Sequence, residues 1–173
     1  MDLSRINTIF FDVDGVFTDG SLYVSDNGIN ITKFNVHDGM ACILLKEIGV
    51  DILILTARHS EAVVKRFKDL GIDKIFTEVL KKRAFIKDYV KTHNLNKNEI
   101  AMMGDDLQDL SAKDEVGMFF STPNAVDIVK DNADYITKRS GGYGAIREIC
   151  DLIINSKGSC STSEFENYIE KRS

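Results

Sequence analysis

The fold turns on residues 9–22, "IFFDVDGVFTDGSL". An apolar, aromatic run ends in Asp12, and Asp14, Gly15, Asp19 and Gly20 follow within a few positions. A run of this kind reads as a strand buried on both faces, the usual state of a parallel sheet. Ionised carboxylates at its end are costly to bury without partners. Either they reach solvent or a cation meets them.

Outward from this stretch, apolar runs alternate with segments of helical period. Strands are expected at Ile6–Phe11, Asp51–Leu55, Lys74–Phe76, Ile100–Met103, Gly117–Phe120 and Tyr135–Ile136. Between them, Met40, Leu44, Leu45 and Ile48 share a helix face, as do Phe85, Ile86, Tyr89 and Val90, and Ile146, Ile149, Cys150 and Ile153. Thr122-Pro123 reads as an N-cap with proline at the first helical position. Gly49 and Gly71 stand where left-handed C-caps belong. Strand-helix alternation implies an α/β fold with a doubly wound, mainly parallel sheet. Residues 21–36, "SLYVSDNGINITKFNV", break that rhythm with a period of two around Asp26-Asn27-Gly28, a hairpin signal. We expect one domain over residues 1–155, then a polar tail, 156–173, with fraying as its default and a short helical turn at Phe165, Tyr168 and Ile169 as the alternative.

Composition bounds the class. The 173 residues are 43% hydrophobic, enough to fill a core. A net charge of -5 with no basic block argues against nucleic-acid binding. No apolar run approaches the ~20 residues that span a bilayer, and "MDLSRIN" lacks the apolar region of a signal peptide, so no membrane partner and a cytoplasmic location are expected. The cysteines, Cys42, Cys150 and Cys160, are odd in number and form no CxxC, which suits free thiols.

In open parallel sheets ligands bind beyond the carboxyl ends of the strands. Polar clusters fall at such ends: Asp12-Val13-Asp14-Gly15, Thr56-Ala57-Arg58, Lys82, and Gly104-Asp105-Asp106 with Asp109 beyond. Together they suggest phosphoryl transfer. Asp12, Asp14 and Asp105, with Asp106 or Asp109 adding to them, would repel one another until a hard divalent ion, magnesium beside phosphate, relieved the charge. One carboxylate can then attack phosphorus, and a second two residues on can move the protons. Thr56 would donate to a phosphoryl oxygen, and Lys82 would set an ammonium against the developing charge. Lys82 is preferred to Lys81 from its spacing after "FTEV".

In order, "FFDVDGVFTD", "ILTAR", Lys82 and "GDDLQD" resemble the four signature motifs of the haloacid dehalogenase-like hydrolases. "DVDGVFTDG", "FNVHDG", "TAR" and "GGYGAIREIC" further resemble the 3-deoxy-D-manno-octulosonate 8-phosphate phosphatases, over roughly residues 6–155. The resemblance implies a Rossmann-like fold and a Mg2+-dependent phosphatase of lipopolysaccharide precursor synthesis. It implies Asp12 as nucleophile, Asp14 as acid/base with its backbone carbonyl on the metal, Asp105 as a metal ligand, and Thr56 and Lys82 as phosphate binders. It also puts Arg58 and Arg66 toward the substrate's carboxylate and phosphate region; the alternatives are a helix-start charge and a solvated helix face. Asp38 either joins the rim of the site or caps a helix beginning at Gly39. His37, Met40, Ala57 and Tyr143 depart from the family pattern.

Family members usually carry a cap domain after the first or second motif. Here Asp14 to Thr56 and Thr56 to Lys82 leave no room for one. The resemblance therefore implies a homotetramer in which hairpins such as 21–36 and a neighbouring subunit close the site. A nine-carbon 2-keto-3-deoxy sugar acid 9-phosphate is the alternative substrate; the arginine of "TAR" favours the eight-carbon acid. A receiver-like signalling module would need its phosphorylated aspartate where Thr56 stands. A catalytically dead oligomerisation domain would have lost the nucleophile or Lys82, and both are present.

Overall fold

The computed structural model describes residues 2–28 and 30–171. Its sheet consists of β1 (Thr8–Phe11), β4 (Asp51–Leu55), β5 (Ile75–Phe76), β6 (Ile100–Met103), β7 (Met118–Ser121) and β8 (Tyr135–Ile136), all parallel. The order β5-β4-β1-β6-β7-β8 puts β1 at the centre. Every expected strand is present within two residues of its expected start. β2 (Tyr23–Val24) and β3 (Asn30–Ile31) pair antiparallel as a separate hairpin. The helices are α1 (Val36–Glu47), α2 (Glu61–Asp69), α3 (Lys82–Thr92), α4 (Leu107–Leu110), α5 (Asp127–Asn132), α6 (Ala145–Ser156) and α7 (Ser161–Glu170).

Both faces of the sheet are covered, which is why its strands read as continuous apolar runs. Ile9, Phe11, Ile52, Ile54, Ala101 and Met103 pack on one side with Ala41, Leu44 and Leu45 of α1, Phe67 of α2 and Ile146, Ile149 and Ile153 of α6. Phe10, Leu53, Leu55, Ile100 and Met102 point the other way, onto Ile86 of α3 and Val129 of α5. Alternate residues of each strand thus serve opposite cores. Gly49 and Gly71 follow α1 and α2 with φ of +84° and +70°.

Three expectations are corrected. Thr122 is not a helix cap: α5 starts at Asp127 behind Val126, and Thr122 sits in a turn with Ala125 N–H donating to its carbonyl. Asp38 neither lies at the rim nor caps its own helix. The cap of α1 is Asn35, whose side chain accepts from His37 N. Asp38 is fully buried and accepts from the backbone N–H groups of Gly144 (3.3 Å) and Arg147 (2.8 Å), so it caps α6 from across the α1–α6 contact. Burial raises its carboxyl pKa, and the two N–H bonds oppose that rise. Third, residues 161–170 do not fray but form α7. Ser161 Oγ donates to Asp151 Oδ1 at 2.6 Å near its start, and Lys171 Nζ meets Glu47 of α1 at 2.5 Å at its end.

Candidate active site

In register, Phe11 pairs with Ile54 on one side and Met103 on the other. The chain leaving β1 therefore meets the chains leaving β4 and β6, and Asp12 N–H extends the ladder to Met103 O at 3.0 Å. Residues 13–18 form one tight turn in which Val16, Phe17 and Thr18 N–H all donate to Val13 O. Phe17 anchors that turn, its ring edge-on to Phe11 and Phe67 with centroids 5.4 and 4.8 Å away. Such pairs add about 0.5–1.5 kcal/mol each to simple burial.

Lys82, the first residue of α3, extends under this turn. Its ammonium is buried and lies 2.6 Å from Asp12 Oδ1 and 2.5 Å from Asp109 Oδ1. Lys82, not Lys81, is thus the lysine of the site. Carboxylate oxygens of Asp12, Asp105 and Asp109 all lie within 4.8 Å of one another. Three carboxylates against one ammonium leave the cluster short of positive charge. Burial pushes the Asp12 carboxyl well up, and Asp109 pushes it further, against the pull of Lys82. Asp105 is pushed up to about 7, by burial first and then by Asp109 and Asp106. An oxygen-lined, acid-rich pocket of this kind fits a hard divalent cation.

Asp109 is the residue whose part the sequence left open. Its Oδ1 holds Lys82, and its Oδ2 accepts from the N–H groups of Asp105 (3.1 Å) and Asp106 (3.2 Å), so it shapes the loop that carries Asp105. Asp106 faces the other way and caps α4. The signal was present in the Asp106-x-x-Asp109 spacing, a capping-box pattern. Gly15 is required by close approach: its φ is +79°, and a Cβ there would lie 1.9 Å from Asp105 Oδ2.

Thr56 is buried at the end of β4. Its Oγ1 accepts from Arg58 N–H at 3.1 Å, which leaves the hydroxyl proton free to donate elsewhere. Arg58 Nη1 lies 3.5 Å from Asp14 Oδ1, with both side chains partly exposed. A cleft of about 290 Å3 opens here, lined by Asp14, Thr56, Arg58, His59 and Ser60 on one wall and Ser21, Leu22, Tyr23, Ile31 and Thr32 of the hairpin on the other. Arg66 is not brought into it. Its guanidinium lies over Gly39 of α1, where a Cβ would come within 2.5 Å of Nη2. Of the departures, Tyr143 reaches the hairpin base, its hydroxyl 3.1 Å from Lys33 Nζ.

The raised Asp105 carboxyl has a measurable consequence. A cation needs the carboxylate, so binding competes with a proton that leaves near pH 7. Mg2+ affinity, read by titration calorimetry, is expected to be about tenfold weaker at pH 6 than at pH 8. The sign for folding agrees. A raised pKa favours the folded state below the unfolded value and loses that advantage as pH climbs to about 7. Saturating Mg2+ should therefore raise the melting temperature more at pH 8 than at pH 6. Equal affinity at both pH values would exclude Asp105 from the cation site.

A haloacid dehalogenase-like hydrolase family profile matches residues 74–149. The 3-deoxy-D-manno-octulosonate 8-phosphate phosphatase of Haemophilus influenzae is 35% identical over 159 residues, which cover 92% of this chain and 88% of that protein. The same enzyme of Escherichia coli K12 is 34% identical over 156 residues, 89% of this chain and 82% of that one. A crystal structure of the Moraxella catarrhalis 3-deoxy-D-manno-octulosonate 8-phosphate phosphatase, in complex with magnesium, phosphate and KDO, superposes with a TM-score of 0.88 at 32% identity, covering 99% of this chain and 96% of that one. No helix of the described residues is long and apolar enough to cross a membrane. With four motifs meeting at one end of a parallel sheet, and relatives alike over nearly their whole length, the chain belongs to the 3-deoxy-D-manno-octulosonate 8-phosphate phosphatase family of haloacid dehalogenase-like hydrolases.

Proposed function

We propose that the chain is a magnesium-dependent phosphatase that hydrolyses 3-deoxy-D-manno-octulosonate 8-phosphate to the free sugar acid and phosphate, a step of lipopolysaccharide precursor synthesis. The observation that carries this reading is the buried Lys82–Asp12–Asp109 group, with Asp105 beside it and the Asp14–Thr56–Arg58 cleft alongside. Asp12, Asp105 and the main chain at Asp14 would hold Mg2+, which when bound neutralises charge on the phosphoryl oxygens.

A carboxylate oxygen of Asp12 attacks phosphorus as the bond from phosphorus to the sugar oxygen breaks, leaving the phosphoryl group on Asp12. Asp14, exposed to the cleft, gives its proton to the departing alkoxide. It then takes a proton from the water that attacks phosphorus and frees Asp12. Lys82 holds Asp12 in aim and sets positive charge beside the transferring group, while the Thr56 hydroxyl donates to a phosphoryl oxygen. Arg58, beside Asp14 in the cleft, suits the sugar acid's carboxylate. Arg66, turned toward Gly39, takes no part within one chain.

Phosphate release from eight- and nine-carbon 2-keto-3-deoxy sugar acid phosphates, measured side by side with Mg2+, tests the substrate. The eight-carbon ester should show the higher kcat/KM; a preference for the nine-carbon ester would reassign it.

We also propose a homotetramer in which a neighbouring subunit walls the cleft. The hairpin exposes Leu22 (58%), Tyr23 (50%), Val24 (70%) and Ile31 (64%), apolar area that a lone chain would leave in water. Light scattering at micromolar concentration should give a tetramer, and Val24→Asp should yield smaller species with reduced activity. A fully active monomer would overturn the assembly. Three free cysteines suit a cytoplasmic location.

A further inference from the structure

The first motif has a second half that the chemistry leaves unused: Thr18, in "GVFTDG", is buried in the turn behind Asp14. Its Oγ1 accepts from Gly15 N–H and Gly20 N–H, each at 3.2 Å, and donates to Val13 O at 3.5 Å. All the hydrogen-bonding capacity of the hydroxyl is spent on the main chain of its own loop. The bond to Gly15 N–H matters most, because that N–H belongs to the Asp14–Gly15 peptide. No peptide of the described residues is cis, and across a planar trans peptide C=O and N–H point in opposite directions. Thr18 therefore turns the Asp14 carbonyl away from itself.

The other end of Gly15 is held as firmly. Its carbonyl accepts from Asn124 Nδ2 at 3.0 Å and from Thr122 Oγ1 at 3.3 Å. Asn124 Oδ1 in turn accepts from Gly141 N–H at 2.7 Å, in the "GGYG" loop. A Cβ on Gly141 would lie 1.9 Å from Gly15 O, so the two loops touch backbone to backbone. Between these anchors the Gly15 Cα is pressed against the Asp105 carboxylate. A glycine with φ of +79° has many other conformations open to it; the clamp removes them.

We propose that Thr18 is a positioning residue, which fixes the Asp14–Gly15 peptide so that the Asp14 carbonyl is presented for the metal, with Asn124 holding the opposite end of Gly15. The inference rests on the reading of Asp14 and Asp105 as the metal-holding pair. It gives a purpose to the threonine of the first motif and to the asparagine of "STPNA", neither of which touches the cleft.

Thr18→Val keeps the shape and removes the acceptor, whereas Thr18→Ser keeps both the oxygen and its bonds. Calorimetric titration with Mg2+ alone reads the metal site without substrate. Thr18→Val should weaken Mg2+ binding and lower kcat by about 10- to 100-fold each, with KM for the phosphate ester held within about threefold. Thr18→Ser should restore both to within about threefold of wild type. Asn124→Ala, at the far end of the clamp, should shift Mg2+ affinity in the same direction. Wild-type Mg2+ affinity in Thr18→Val overturns the inference and leaves the proposed function standing. If Thr18→Val fails to fold, unchanged Mg2+ binding in Asn124→Ala overturns it equally. A wild-type protein that neither binds Mg2+ nor releases phosphate overturns both readings together.

Discussion

Asp12→Asn is expected to abolish phosphate release, by at least about a thousandfold in kcat, while leaving the fold intact. The amide fills the same volume and its oxygen can still accept from Lys82 Nζ, now 2.6 Å from Asp12 Oδ1. What it lacks is a nucleophilic oxygen, and with that goes the covalent intermediate. The effect on stability is opposite to the effect on activity. Burial and Asp109 hold the Asp12 carboxyl well above the ordinary carboxylate range, so its charged form is unfavourable in the metal-free fold at neutral pH. Removing that charge relieves the strain. The metal-free variant should melt at or above the wild-type temperature at pH 8, with the difference shrinking as pH falls and the wild-type carboxyl takes up its proton. Activity by phosphate release and melting by differential scanning calorimetry measure the two effects. A variant that turns over at the wild-type rate removes Asp12 from the chemistry.

Lys82→Met is expected to fail in both respects. The methionine fills the stem's space but leaves Asp12 and Asp109 buried with no counter-charge. Breaking a buried ion pair by removing one partner costs about 3–5 kcal/mol. For a chain of this size that is about 10 °C in melting temperature. kcat should fall by about a hundredfold or more, since charge aimed at the transferring group is lost along with the aim of Asp12. The stability loss should be smaller at pH 5 than at pH 8, because the Asp12 carboxyl, pushed up by burial, no longer needs the ammonium once it takes up a proton. Lys82→Arg should not rescue, as a planar guanidinium does not fit a pocket closed around a point charge. Wild-type melting and turnover in Lys82→Met would remove the lysine from the site.

The parts of the molecule that the sequence disclosed share a cause, as do those it hid. β1, β4 and β6 were legible because both faces are buried, so their apolar runs are uninterrupted. Asp12, Thr56, Lys82 and Asp105 were legible because they stand at strand ends or a helix start, where the fold class already directs attention. Asp38 was misjudged because its partners, Gly144 and Arg147, lie more than a hundred positions away and no local pattern announces a cap supplied by another helix. Arg66 carries the right charge in the right segment, yet α2 turns it onto α1; direction on a helix is decided by packing. Helix α7 was read only as a short turn, second to fraying, because its amphipathic face is thin, with Phe165 and Ile169 both still partly in water, and because contacts with Asp151 and Glu47 hold its two ends.

The central place of β1 bears on how the protein is made. The strand that leads to Asp12 leaves the ribosome before the other strands of the sheet, yet its partners are β4, from residue 51, and β6, from residue 100. Until synthesis passes Met103, the apolar segment "TIFF" has one edge unpaired, and Gly141, which abuts the first motif, comes later still. Contacts this distant along the chain slow folding and prolong the exposure of sticky segments. The nascent chain is thus most vulnerable over the stretch that becomes the buried centre of the finished sheet, and a translation arrest before residue 100 should leave an aggregation-prone fragment that no metal can rescue.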